Sequence, residues 1–187
     1  MEHHIDIDVR PDPEFSAHQL MNALYAKLHR ALAAKNSTCI GVSFPGFSLK
    51  APHLGTRLRL HGDVAALSAL MASGWVTAMR DHVTLTPLTQ VPETAEHRIV
   101  RRIQVKSSPE RLRRRLMRRH DLDAQQARHY IPDEVAQVAK QPYVQLRSTS
   151  TGQSFRLFID HGAPQSHAIA GDFNTYGLSQ TATVPWF

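Results

Sequence analysis

The sequence predicts an α+β fold, and three observations carry that prediction. Two short stretches, Ile5/Ile7/Val9 with Asp6, Asp8 and Arg10, and Arg57-Leu58-Arg59-Leu60-His61, alternate apolar and polar residues with the period of a half-buried strand. Two others, 16–35 and 63–74, repeat apolar residues at helical spacing behind an explicit N-cap. Beyond residue 96 comes an arginine-rich helical stretch followed by the pattern of a β-hairpin. In chain order the first half reads β-α-β-β-α-β. This is the ferredoxin-like, or RRM-like, plan, with two helices on one face of an antiparallel sheet. The expected division is a ferredoxin-like domain over 1–96 and a C-terminal α+β part over 97–187 that carries the arginine-rich helix and the hairpin.

The first strand stops at Pro11 and Pro13. Ser16 and Gln19 then form a capping box, with Phe15 and Leu20 spaced as a hydrophobic staple. Leu20, Leu24, Leu28 and Ala31 make one apolar stripe, and Lys35-Asn36 offers a C-terminal cap. Residues 39–44 read as the second strand and 45–55 as a turn-rich loop, while Asp63 caps a helix that ends near Gly74. Val83 and Leu85 suggest the fourth strand, and 87–97 looks like a linker. The RNA-recognition motif stacks bases on sheet aromatics, but 57–61 has Arg and His where that module needs Phe or Tyr.

Residues 98–106 read as a strand with Arg102 and Gln104 on its polar face. Both side chains can pair with purine edges, and both also suit the outer face of any strand. Ser108-Pro109-Glu110 opens a helix. At 100° per residue, Arg111, Arg114, Arg115, Arg118 and Arg119 fall within about 140°, with Leu112 and Leu116 along one edge. A solvated face usually mixes signs, yet no carboxylate lies between Glu110 and Asp121, so a polyanion is expected here. Helical segments follow from Asp121 and from Ile131. Next come a strand over 143–147, a hydroxyl-rich turn over 148–154 and a return strand over 155–159. The tail to Phe187 is too apolar to be free of the core.

The net charge of +6 favours an anionic partner. A single cysteine, Cys39, excludes a disulfide frame and a Cys-based zinc site. The twelve histidines show no H-x-x-x-H pattern and the carboxylates no tight cluster, so the chemistry is expected to need no metal and no cofactor. There is no run of about 20 apolar residues and no signal-peptide layout, which suggests a soluble cytoplasmic protein away from membranes.

Several stretches together resemble a known family. They are S-P-E-R-L-R-R-R-L-M-R-R-H at 108–120, L-R-S-x-S-T-G-Q at 146–153, F-R-L-F-I at 155–159, Y-G-L-S at 176–179, the terminal V-P-W-F, R-P-D-P-E-F at 10–15 and the helix with His29. They are similar to the CRISPR repeat-processing endoribonuclease of type I-F (Ypest subtype) systems. The resemblance implies a metal-independent cut of precursor CRISPR RNA at the 3′ base of the repeat stem-loop. Attack by the 2′-OH would give a 2′,3′-cyclic phosphate, and the enzyme would keep its product hairpin. It also implies membership in a type I-F crRNA-guided surveillance complex.

Carried over residue by residue, His29 would be the general base, Ser148 would hold the 2′-OH and Tyr176 would orient the imidazole. Arg114, Arg115, Arg118, Arg119 and His120 would lie along the stem, Arg102 and Gln104 would read the two purines nearest the cut, and Phe155 would stack under the terminal base pair. Ser150 and Thr151 suit the phosphate near the cut. From the sequence alone His29 is one of twelve histidines, about 135° from the leucine stripe and therefore neither core nor plainly solvent-facing. A non-catalytic arginine-rich RNA-hairpin-binding protein is the alternative, and a metal-dependent nuclease is disfavoured by the scattered carboxylates.

Overall fold

The computed structural model describes residues 1–104, 109–131, 141–148 and 151–187, for 109–111 the main chain only. Residues 1–103 and 141–187 pack as one compact unit and 104–140 as a second.

The first unit begins with the expected ferredoxin-like order: β1 (His3–Val9), α1 (Ala17–Ala34), β2 (Gly41–Ser43), β3 (Arg57–Gly62), α2 (Val64–Ala72) and β4 (Val83–Leu85). The sheet order is β2-β3-β1-β4 with every pairing antiparallel. Ile5, Ile7, Leu58 and Leu60 turn their side chains to the core with Leu24, Leu28 and Leu67 from the two helices. Ser16 caps α1 through the full capping box with Gln19, and Asn36 takes the left-handed conformation after it at φ 46°. Asp63 caps α2 by accepting the amide of Ala66.

The polar face of this sheet differs from a half-buried one. Asp6 and Arg59 are both buried, joined by a two-pronged ion pair of 2.6 and 2.8 Å. The Arg59 guanidinium stacks on the Phe187 ring at 3.8 Å and donates to the Phe187 main-chain oxygen. The end of the chain therefore covers the surface that an RNA-recognition motif would offer to bases. Breaking such a buried pair from one side costs about 3–5 kcal/mol.

The stretch 87–97 is more than a linker. Thr89–Gln90 forms a short strand, β5, against His3 and His4, and the next strand, β6 (Glu96–Ile103), starts before 97. Its first half pairs with a C-terminal strand, β9 (Thr183–Trp186), which takes up residues 96–99, and His97 also bridges to Gln165. The hairpin is β7 (Tyr143–Arg147) and β8 (Ser154–His161), and the second sheet runs β7-β8-β6-β9. Val100, Val144, Leu157, Ile159 and Val184 bury their side chains in the same core as the first sheet. The tail packs as expected, with Phe173, Leu178 and Ala182 buried.

In the second unit α3 (Pro109–His120) meets α4 (Ala124–Tyr130). Asp123 caps α4 in a capping box with Gln126, and Asp121 makes the turn at φ 50°. The expected N-cap Ser108, the strand residues 105–106 and the helical segment over 132–138 lie outside the described residues.

Candidate active site

Helix α1 and strand β7 advance in step. His18 packs edge-on against Tyr143 at 5.3 Å, and the Asn22 side-chain oxygen accepts the Gln145 amide at 2.9 Å. From His18 to His29 the helix climbs about 16 Å at 1.5 Å per residue, and from Tyr143 to Ser148 the strand covers the same length at 3.3 Å. His29 thus arrives level with the turn that starts at Ser148. A cleft of about 520 Å³ opens between them, lined by His29 and Arg30 of α1, Arg147 and Ser148 after β7, and Tyr176. Arg102 and Phe155 also line it. They are held there by β6 and β8, where Arg102 pairs with Ile159 and Phe155 with Leu146.

His29 is half-buried and doubly held. Its ring lies flat on the Tyr176 ring, centroids 3.8 Å apart and planes within 9°. Its Nδ1 donates to the Thr175 carbonyl at 2.9 Å. A carbonyl oxygen can only accept, so Nδ1 is the donor, and in the neutral ring the lone pair falls on Nε2. The neutral imidazole is thereby set in the tautomer a general base requires.

The turn that supplies these partners is itself fixed. Asn174 accepts the amides of Tyr176 and Leu178 on its side chain, and its carbonyl accepts the Gly177 amide. Gly177 sits at φ 71°, and a Cβ there would lie 2.6 Å from Val42 Cγ1, so only glycine lets the turn close on β2. From below, the fully buried Tyr25 donates its hydroxyl to the Tyr176 carbonyl at 2.8 Å. Burial pushes the Tyr25 phenol well up, with Tyr176 adding to it, so the hydroxyl stays a donor.

On the facing wall the Ser148 hydroxyl accepts the Thr151 amide at 3.2 Å, and main-chain bonds tie Ser148 to Gln153 and Gly152. Arg147 donates from Nε to the Gly152 carbonyl and closes the same turn. Thr151 is exposed on it, and Ser150 lies outside the described residues. Gln104, beyond the last residue of β6, is exposed and belongs to the second unit.

In that unit Arg114, Arg115, Arg118, Arg119 and His120 line α3, with Arg114, Arg118, Arg119 and His120 exposed and Arg115 exposed beside them. Arg113 differs from these four arginines. It is buried, and its Nε donates to the Ile131 carbonyl at the end of α4, fixing one helix to the other. Leu112, Leu116 and Met117 are half-buried. Among the described residues no three His, Cys, Asp or Glu side chains converge as a metal site, and no helix is long and apolar enough to cross a membrane.

Comparison with known proteins decides the lineage. Residues 4–187 match the family model of the CRISPR-associated protein Cas_Csy4. The chain belongs to this family. Two curated relatives align over all 187 residues and over 100% of both chains: the CRISPR-associated endonuclease Cas6/Csy4 of Pseudomonas aeruginosa (strain UCBPP-PA14), 52% identical, and the protein of the same name in Escherichia coli (strain UTI89 / UPEC), 46% identical. The sequence motifs point to this same family of type I-F endonucleases.

Sequence reasoning missed two arginines that line the cleft and two residues that brace its Tyr176 turn from outside it. Arg30 and Arg147 adjoin His29 and Ser148, and their adjacency was the available signal. Tyr25 and Asn174 gave none, because a buried tyrosine and a turn asparagine look alike wherever they occur.

Proposed function

We propose that the protein is a metal-independent, sequence- and structure-specific endoribonuclease that cuts precursor CRISPR RNA at the 3′ base of each repeat stem-loop. The observation that carries this reading is the Nδ1–Thr175 hydrogen bond, which leaves Nε2 of His29 as a lone-pair nitrogen in a cleft shared with Ser148. His29 takes the proton of the ribose 2′-OH at the cut, which Ser148 holds in place. That oxygen forms a bond to the adjacent phosphorus, and the bond from phosphorus to the 5′-oxygen of the next nucleotide breaks. The products are a 2′,3′-cyclic phosphate and a 5′-hydroxyl strand, whose oxygen takes its proton from water. The Tyr176 ring fixes the imidazole plane, and Arg102 and Arg147 supply positive charge for the phosphorane.

Recognition is assigned to the other residues. Arg102 and Gln104 read the two purines beside the cut, and Phe155 stacks under the closing base pair. Arg114, Arg115, Arg118, Arg119 and His120 follow the stem, whose few base pairs leave the major groove open at its ends. Ser150 and Thr151 meet the phosphate. Labour divides between 1–96, which carries the base, and 97–187, which holds the hairpin. The product hairpin stays bound, so the protein acts in the cytoplasm as a subunit of a type I-F crRNA-guided surveillance complex.

The test is single-turnover cleavage of a cognate repeat hairpin in excess EDTA. Cleavage persists, a 2′-deoxy nucleotide at the cut abolishes it, and His29→Ala abolishes it while hairpin affinity is kept. A requirement for Mg²⁺ would sink the mechanism, and tight binding without any cut by the unaltered protein would leave a non-catalytic hairpin binder.

A further inference from the structure

Arg30 lines two depressions. One is the cleft with His29, and the other is an open groove of about 520 Å³ shared with Lys27, Ala31, Ala34, Lys35, Ser73 and the half-buried Trp75. At 100° per residue Lys27, Arg30 and Lys35 lie on one side of α1, with Ala31 and Ala34 between them. Methyl groups therefore floor the groove and three cations rim it, while Trp75, from the turn after α2, walls it. Helix α1 contains no Asp or Glu, and among the described residues none of these three cations is in an ion pair.

We infer that this groove receives the single-stranded RNA running 3′ of the cut. The inference rests on the function proposed above, which places the stem on the Arg102 and Phe155 wall of the cleft. The strand beyond the broken bond then leaves on the α1 side, where Arg30 hands it from one depression to the next. Small floor residues let a sugar-phosphate backbone approach, the cations meet successive phosphates, and the Trp75 ring offers a base a face to lie on. The groove reads no sequence, as suits a strand that is let go. An acidic protein surface is the competing occupant, and the test separates the two.

Two non-cleavable hairpins, each 2′-deoxy at the cut nucleotide, are compared: one ends just past the cut and the other carries a single-stranded 3′ extension. For the unaltered protein the extension tightens binding about tenfold at low salt and steepens the salt slope by about 0.7 for each phosphate met. In Lys27→Gln/Lys35→Gln the gain disappears, while binding of the short hairpin, and single-turnover cleavage of its all-ribose counterpart, are unchanged. The inference is overturned if the extension adds nothing to the unaltered protein, which would leave the groove to a protein partner. It is equally overturned if the variant keeps the gain, or if it loses cleavage of the short all-ribose hairpin. Failure of the unaltered protein to bind or cut any hairpin would instead remove the function on which the inference stands.

Discussion

The imidazole of His29 owes its tautomer to a main-chain carbonyl rather than to a carboxylate, and this makes the residues beneath it matter. Tyr25 pins that segment from below through the Tyr176 carbonyl. Tyr25→Phe should cost about 1–2 kcal/mol of stability, the range for a buried hydrogen bond removed from one side. It should also lower the single-turnover rate while leaving hairpin affinity intact, because the Thr175–Tyr176 segment would no longer be pinned. Urea unfolding and cleavage assays on one preparation check both halves. An unchanged rate would reduce Tyr25 to a core residue. Gly177→Ala should be worse for folding, since it meets both the positive φ and Val42.

At the scale of elements, the arginine helix shows what a sequence pattern can and cannot sort. The arc that gathers Arg114, Arg115, Arg118 and Arg119 sets Arg113 aside, and Arg113 is buried against α4. Replacing Arg115 and Arg119 by Ala should weaken hairpin binding and flatten its salt dependence by roughly 0.7–0.9 of slope for each phosphate no longer neutralised. Arg113→Leu should lower the stability of the α3–α4 pair instead, visible in hydrogen exchange of α4 amides. The same contrast runs through the fold. The capping box at Ser16, the cap at Asp63 and the alternation in β1 and β3 are local chemistry, and they were legible. The burial of Asp6 and Arg59 was not, because it depends on Phe187 arriving from the far end of the chain. Strands β5 and β9 were missed for the same reason: short, unpatterned segments become strands through their partners. His29 could be placed on the flank of its helix, but its selection among twelve histidines came from family resemblance, and its carbonyl partner lies 146 residues away.

For the molecule as a whole, two histidines outside the cleft set a pH dependence of folding. His61 is fully buried, and desolvation, followed by the charge of Arg59, holds it well below the usual imidazole range. His161 stacks on Phe47 at 4.0 Å, and burial together with Arg98 brings it down to about 3. In the unfolded chain both titrate near about 6.5. Below that value the unfolded state binds protons that the folded state refuses, so stability is full above about pH 6.5 and falls as pH drops toward about 3. Each histidine contributes up to about 1.4 kcal/mol per pH unit in that window. Urea unfolding at about pH 7.5 and about pH 5 should show the loss, and His161→Phe should shrink it; an identical pH difference in the variant would assign it elsewhere. The assembly of the cleft also sets an order in time. A growing chain that has reached Ser148 already contains α1 and β7, yet His29 still lacks the Thr175 carbonyl and the Tyr176 ring that hold its imidazole. The turn that holds the ring docks on β2 only after the chain has grown past Gly177, so under the proposed mechanism a chain made only to Ser148 holds the histidine without its positioning.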